Sequence, residues 1–296
     1  MIHNKTKRYF SIAAYLLIGL LLQSTLFECV AQNKTVLQPN KKIVKMMVKQ
    51  KGLLCYWDFS GKTPFVSKGK YKYTLNAGNT PIEIKDEGPV SGKSINICKG
   101  QYLYIPREKC PGLDIHGKNA QVTVLAWVKR QKGSPECEAI AGMWNESRKL
   151  RQYCLFVNIQ LYNSADQVSG HVSGVGGPTP GNKYCVDVSI GRSKVNLGEW
   201  TLIGFSYDSH EAKSYYNGLF EPREGVNPYP YELGLFDGGK KGADFTVGAV
   251  DRSNEIGNFF AGQIGMLSVY NRALSAKEMA AIYQETKDCA TVRSKR

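Results

Sequence analysis

The sequence predicts an all-β chain, a two-sheet antiparallel sandwich closed by one short C-terminal helix. Three observations carry this. Short apolar runs recur from residue 52 onward, separated by Gly, Pro and Asn. A tight-turn dipeptide, Asn217-Gly218, stands between two alternating runs. The only complete helix signature lies near the end of the chain.

The elements follow in chain order. Residues 52–59, GLLCYWDF, read as a first strand, and shorter candidates stand at 71–76, 94–97 and 101–105. VTVLAWVKR at 122–130 alternates with both faces largely apolar, which suits a strand inside a layered sheet. YCLFVNIQLY at 153–162 and KYCVDVSI at 183–190 are further strands, and SGVGGPTPG at 173–181 is a loop between them. EWTLIGFSYD and KSYYNGLF make a hairpin with Ile203, Phe205 and Tyr207 on one face. Strands recur at 244–249 and 262–270. Ser275 and Glu278 then form a capping box, and Met279, Ile282 and Tyr283 give the face that docks the helix.

The first residues are not expected in the fold. Lys5, Lys7 and Arg8 precede an apolar run at 12–22, and Cys29-Val30-Ala31 offers the small residues of a cleavage site. Residues 1–31 therefore read as a secretory signal, which directs the chain to the periplasm, the cell surface or the medium. A membrane anchor fits less well because the run is shorter than the roughly 20 residues a span needs. Lipidation at Cys29 fits less well because Glu28 stands where a small residue is required. No later stretch is apolar enough to cross a bilayer. Residues 32–51 are a basic segment, 52–290 the sandwich, and 291–296 a basic tail.

The chain carries a formal charge of +14. Removing residues 1–31 takes away Lys5, Lys7, Arg8 and Glu28 and leaves +12. Such a balance attracts anionic partners or serves solubility alone. The one dense cluster, Lys41, Lys42, Lys45, Lys49 and Lys51, reads as a solvated linker with a turn or two of helix. No arginine-rich motif accompanies it, so nucleic acid is not an expected partner.

The runs VTVLAWVKR, GEWTLIGFSYD, SYYNGLF, FTVGA and FFAGQIGMLSVYNRALSAKEM, in that order, resemble the laminin-G-like jelly-roll domains of bacteria. Those belong to the concanavalin A-like lectin/glucanase superfamily. The resemblance spans roughly 52–286 and implies a jelly-roll sandwich, with glycan-binding, adhesion and structural modules among its members. Gly265 stands where the closing motif has Asp, and FVSKGK replaces an early acidic loop. The family's calcium site is therefore not implied, and no cofactor is expected. Asp208 and Asp251 remain the candidate ligands for any such ion. Sandwiches of this kind place first and last strands side by side, which suggests a Cys55–Cys289 disulfide. Cys137–Cys154 is a second candidate, across a hairpin. No C-x-x-C pair exists.

The superfamily's glucanases use E-x-D-x-x-E on one strand, where alternation sets both acids beside one bond. The motif is absent here, as are HExxH and GxSxG, so no catalytic residue is assigned. Residues 234–240 mimic a phosphate loop, but Lys241 stands where the Ser or Thr belongs. A glycan site needs aromatic faces and planar polar groups. Trp144, Asn145, Arg151 and Tyr153 supply both, with His171 and Tyr184 from later strands and Arg252 and Asn258 from a loop. Trp57, Trp127 and Trp200 are expected in the core, and Trp144 is weighed between the core and partial exposure. The arginines would favour a uronate or sulphate group. The leading expectation is an exported, non-catalytic carbohydrate-binding module, plausibly for an anionic glycan. A structural or adhesion domain meeting a surface protein comes second, and a hydrolase or lyase last.

Overall fold

The computed structural model describes residues 41–132 and 137–291, with side chains to Lys287. The signal segment at 1–31 and the tail from 292 lie outside these residues. Two antiparallel sheets of nine strands each face one another. The first runs Leu219–Phe220, Glu211–Tyr216, Trp200–Tyr207, Val122–Arg130, Gly262–Tyr270, Ser94–Ile97 and Glu83–Lys85, with Leu53–Trp57 beside Gly262–Tyr270 and Tyr229–Pro230 beside Glu211–Tyr216. The second runs Val188–Lys194, Gln167–Val172, Leu150–Val157, Glu138–Asn145, Phe245–Val247, Leu103–Ile105 and Asn76–Ala77. Its Glu138–Asn145 strand also meets the hairpin of Val250–Arg252 and Glu255–Gly257.

The core lies between the sheets. Val122, Val124, Ala126 and Val128 from the first meet Tyr153, Leu155 and Val157 from the second. The alternate residues Leu125 and Trp127 face outward, where Lys41–Val48 and Ala276–Thr291 cover them. Trp127 donates through Nε1 to Thr286 Oγ1 at 3.0 Å, which fixes the C-terminal helix over that face. The capping box forms as its residues predict: Glu278 N donates to Ser275 Oγ and Ser275 N to Glu278 Oε2. Asn217 and Gly218 both have positive φ, 48° and 75°. A Cβ at Gly218 would meet Tyr283 and the Met279 carbonyl within 2.7 Å, so the turn also gives the helix room.

The lysine-rich segment forms the turn or two of helix expected of it, but it is not a solvated linker. It is a two-turn helix whose Ile43 and Met47 are buried against the first sheet. Lys41, Lys42, Lys45 and Lys49 fall on the opposite, exposed face at helical spacing.

Strands 122–130 and 262–270 have the bounds their alternation gives. Glu138–Asn145 and Gln167–Val172 escape that reading because Gly142, Gly170 and the polar residues of QVSGHV dilute the apolar signal. The strand read at 153–162 starts at Leu150 and stops at Val157, because Asn158 and Gln160 turn out of the sheet with φ of 59° and 58°.

The expected disulfides are not formed. Cys55, Cys110, Cys154 and Cys185 are buried thiols, and burial pushes those of Cys55 and Cys110 up to about 12. Cys154 sits opposite Gly142, while Glu138 sits opposite Val157. Cys154 is a free thiol, so no Cys137–Cys154 bridge is present, although Cys137 packs against the same small apolar cluster. The side chain of Cys289 lies outside the described residues.

Where the chain passes from the first sheet to the second, Arg130 holds Glu138 at 2.8 Å, with both side chains 3 % exposed or less. Arg130 also donates to Val195 O at 2.7 Å. Loss of Glu138 leaves the buried guanidinium with the more exposed Asp166, 3.1 Å away, as its counter-charge. Glu138→Gln is therefore expected to lower stability by about 3 kcal/mol in a denaturant titration, whereas a change below ~1 kcal/mol would mark the pair as no better than a surface one.

Candidate functional site

Among the described residues, no helix covers the outer face of the second sheet. Over the Glu138–Asn145, Leu150–Val157 and Gln167–Val172 strands lies a cavity of about 290 Å³. Trp144, Glu146, Arg151, His171, Tyr184, Arg252 and Asn258 are among its lining residues, with the 159–161 loop and Cys137 and Cys185.

The register explains how Arg151 reaches this face. Met143 pairs with Tyr153 and Trp144 with Arg151, so one step on one strand matches two on the other. Gln152 is the extra residue of a β-bulge, which re-aims the side chain that follows it in space. Strict alternation would put Arg151 and Tyr153 on one side. Instead Tyr153 enters the core and donates its hydroxyl to Leu113 O at 2.8 Å. Gln152 is held from both ends: its Oε1 accepts from Arg107 Nη1 at 2.7 Å and its Nε2 donates to Asp114 Oδ1 at 3.0 Å.

Trp144 is 2 % exposed, so it is not the open platform expected of it. The His171 ring lies 4.9 Å from its centroid, Phe156 packs edge-on at 6.0 Å, and the Arg151 guanidinium sits 5.8 Å over it. Trp144 Nε1 donates to Glu146 Oε1 at 3.2 Å, and Asn258 Nδ2 reaches the same oxygen at 3.5 Å. Glu146 Oε2 faces Arg151 at 3.8 Å. Arg252 donates to Asn258 Oδ1 at 2.8 Å. Asn258 Nδ2 thus bridges to the carboxylate while its oxygen steadies a guanidinium. Two arginines and one carboxylate leave the pocket with a positive excess.

Two polar atoms of this arrangement are buried without a protein partner, Arg151 Nε and His171 Nδ1. Burial, reinforced by the Arg151 charge and opposed by a main-chain hydrogen bond at Asp187, lowers the His171 pKa to about 3. The ring is neutral near pH 7. The Cys185 thiol is pushed up to about 11, mainly by burial, and is likewise neutral. Around the rim Gln160, Ser253 and Asn258 hold positive φ of 58°, 53° and 52°, a strained backbone of the kind that clusters at binding loops.

Six of the eight residues singled out from the sequence therefore meet at one cavity: Trp144, Arg151, His171, Tyr184, Arg252 and Asn258. Tyr153 belongs to the core, and Asn145 accepts from Arg148 N at 2.8 Å and faces a neighbouring cavity. Cys185 and the 159–161 loop were not legible, since nothing in their composition separates them from other turns. Glu146 is the only carboxylate among the lining residues, so the pocket does not present the acid pair of glycoside hydrolysis.

Among the described residues, Asp208 and Asp251 belong to no cluster of three or more metal-ligating side chains. Asp208 accepts from His210 N and Glu211 N, and Asp251 from Ser147 Oγ. Among the described residues, one grouping has metal-ligand character: Asp114, His116 and Asp237. There Arg107 already lies 2.6 Å from Asp114 Oδ1 and supplies the positive charge.

Because the His171 pKa falls below its unfolded value near 6.5, its contribution to stability is full above that value and is lost as pH drops toward 3. His171→Phe is expected to flatten the fall of Tm between pH 6.5 and 3 relative to the unaltered chain. An unchanged slope would show that the ring is free to ionise in the folded state.

Comparison with known proteins places this arrangement in context. No curated protein sequence matches the chain. Solved structures share the fold at low identity. Domain 4 of an extracellular arabinanase from Geobacillus stearothermophilus, solved with arabinotriose, is 20 % identical over 78 % of this chain and 98 % of that one, with a TM-score of 0.55. The ligand-binding domain of botulinum neurotoxin serotype D, solved with N-acetylneuraminic acid, is 12 % identical over 79 % and 51 %, with a TM-score of 0.50. A Trypanosoma rangeli sialidase, solved with 2,3-difluorosialic acid, is 15 % identical over 84 % and 36 %, with a TM-score of 0.52. The chain thus spans about half of the neurotoxin domain and a third of the sialidase. A laminin-G family profile matches residues 99–280, from the Leu103–Ile105 strand into the C-terminal helix, and the chain belongs to that family, within the concanavalin A-like lectin/glucanases superfamily.

Proposed function

We propose that this chain is an exported carbohydrate-binding module, without catalysis of its own, whose pocket takes an acidic sugar. The observation that carries the reading is the pairing of Arg151 and Arg252 around one cavity whose buried floor offers Arg151 Nε and His171 Nδ1 without protein partners. A sugar hydroxyl both donates and accepts, and so suits an unpaired N–H beside an unpaired imidazole nitrogen. A carboxylate or sulphate suits a guanidinium, which offers two parallel donors in one plane. Glu146 holds the donors apart and limits the pocket's positive excess, so a single acidic group balances it. Tyr184, 60 % exposed at the rim, supplies the aromatic surface that buried Trp144 does not. The sugar ligands of the arabinanase domain and the neurotoxin domain support carbohydrate as the ligand class. The single carboxylate of the pocket supports binding over hydrolysis.

A glycan array bearing neutral, uronic, sialylated and sulphated sugars tests this. Binding is expected among the acidic sugars, and Arg252→Gln should weaken it about 10–100-fold, the worth of one charge-assisted hydrogen bond at ~1.5–3 kcal/mol. Binding to neutral sugars alone would overturn the acidic preference. Silence across all four classes would overturn the carbohydrate reading. Trp144→Ala is a poor control, because deleting a buried indole costs about 3–5 kcal/mol of fold stability.

A further inference from the structure

Trp144 lines a second cavity, of about 150 Å³, on its other side. This one lies over the Glu138–Asn145, Phe245–Val247 and Leu103–Ile105 strands, on the same outer face of the second sheet. Its floor is Thr246, paired across the ladder with Tyr104. Thr246 is 7 % exposed, and its hydroxyl is buried with no protein partner. Tyr102 and Tyr104 stand beside it with ring centroids 6.2 Å apart, and Asp244 and Asp251 complete the wall. Arg148 also lines the cavity but reaches toward Lys241 O at 3.4 Å. Two carboxylates against one engaged guanidinium give this cavity the opposite electrostatic character from the arginine pocket.

The two cavities are neighbours by construction. Asp251 and Arg252 are consecutive residues of one strand, in the hairpin that meets the Glu138–Asn145 strand. Arg252 serves the first cavity and Asp251 the second.

We infer that the second cavity is a sugar subsite for a neutral unit, and that the ligand is an acidic sugar joined to a neutral one. The inference rests on the acidic-sugar reading of the arginine pocket. Carboxylates accept hydrogen bonds from neutral hydroxyls but repel a second acid. Tyrosine rings offer a face to the C–H side of a sugar ring. The partnerless Thr246 hydroxyl is completed by a ligand hydroxyl. A uniformly acidic chain would place its second charge against Asp244 and Asp251, and so gains nothing from its length.

Calorimetry with the full chain tests this on matched probes: N-acetylneuraminic acid against 3′-sialyllactose, glucuronate against aldotriouronic acid (a glucuronate joined to two neutral xyloses), and galacturonate against digalacturonate. For whichever acid binds, the neutral-extended probe should bind at least tenfold more tightly, while digalacturonate should match galacturonate. Thr246→Val keeps the shape and removes the hydroxyl. With Tyr104→Ala as a second variant, it should collapse the ratio of extended to single-unit affinity to about one. The inference is overturned if the neutral-extended probe binds no more tightly than its acid alone. It is also overturned if digalacturonate gains as much as the neutral-extended probes, or if both variants keep the full ratio. If no acidic probe of any length binds, the arginine-pocket reading fails first and carries this inference with it.

Discussion

The bulge at Gln152 is the constraint on which the site depends. One residue too many on the Leu150–Val157 strand turns Arg151 onto the face of Trp144 and leaves Tyr153 in the core. Gln152 itself is fully buried, and an amide so placed is costly unless bonded. Arg107 and Asp114 provide those bonds from the two short helical turns before Val122–Arg130. The knot of Arg107, Asp114 and Gln152 therefore does for the second sheet what a metal might do elsewhere. It fixes an irregularity in a ladder that would otherwise run straight, and it uses up the charge that an ion would need.

The two outer faces of the sandwich are put to different uses. On the first sheet, Leu125, Trp127 and Met266 would be exposed to water but for the two helices that cover them. On the second, Trp144, Phe156 and Cys154 form a small apolar layer beneath polar side chains, and among the described residues a strand hairpin and loops cover it. An uncovered face with a buried aromatic layer and charged residues above it is the usual composition of a small-ligand site. The exposed lysines of the first helix lie on the covered side, so the general positive charge and the arginine pocket are separate features of the molecule.

Neutrality of the floor matters as much as charge at the rim. His171, Cys154 and Cys185 all sit beneath or beside Arg151, and burial keeps each uncharged. None of the three adds a charge beside Arg151, and the anion facing it, Glu146, is shared with Trp144 and Asn258. Three polar atoms left without a protein partner lie at the two cavities: Arg151 Nε and His171 Nδ1 at one, Thr246 Oγ1 at the next.

Alternation, turn dipeptides and the capping box were enough to determine the all-β sandwich, the hairpin at Asn217-Gly218 and the C-terminal helix. Each of these is a local preference that tertiary packing reinforces. The residue types of the pocket were legible too, because an aromatic, two arginines and asparagines on polar loops are conspicuous against strands of Val and Ile. Their grouping was legible only in part. Period-two reasoning assigned Arg151 and Tyr153 one face, and a bulge cannot be seen in one strand because it is a property of the pairing between two. Exposure was left open at Trp144 and misread at Ile43 and Met47 for a related reason, since burial depends on what the rest of the chain lays over a residue. The thiols escaped in the same way: a hairpin suggested a Cys137–Cys154 bridge, but Cys154 stays a buried free thiol. What only the tertiary structure decided, then, was register and cover, because both are relations between segments distant in the chain, and local sequence preference carries no term for either.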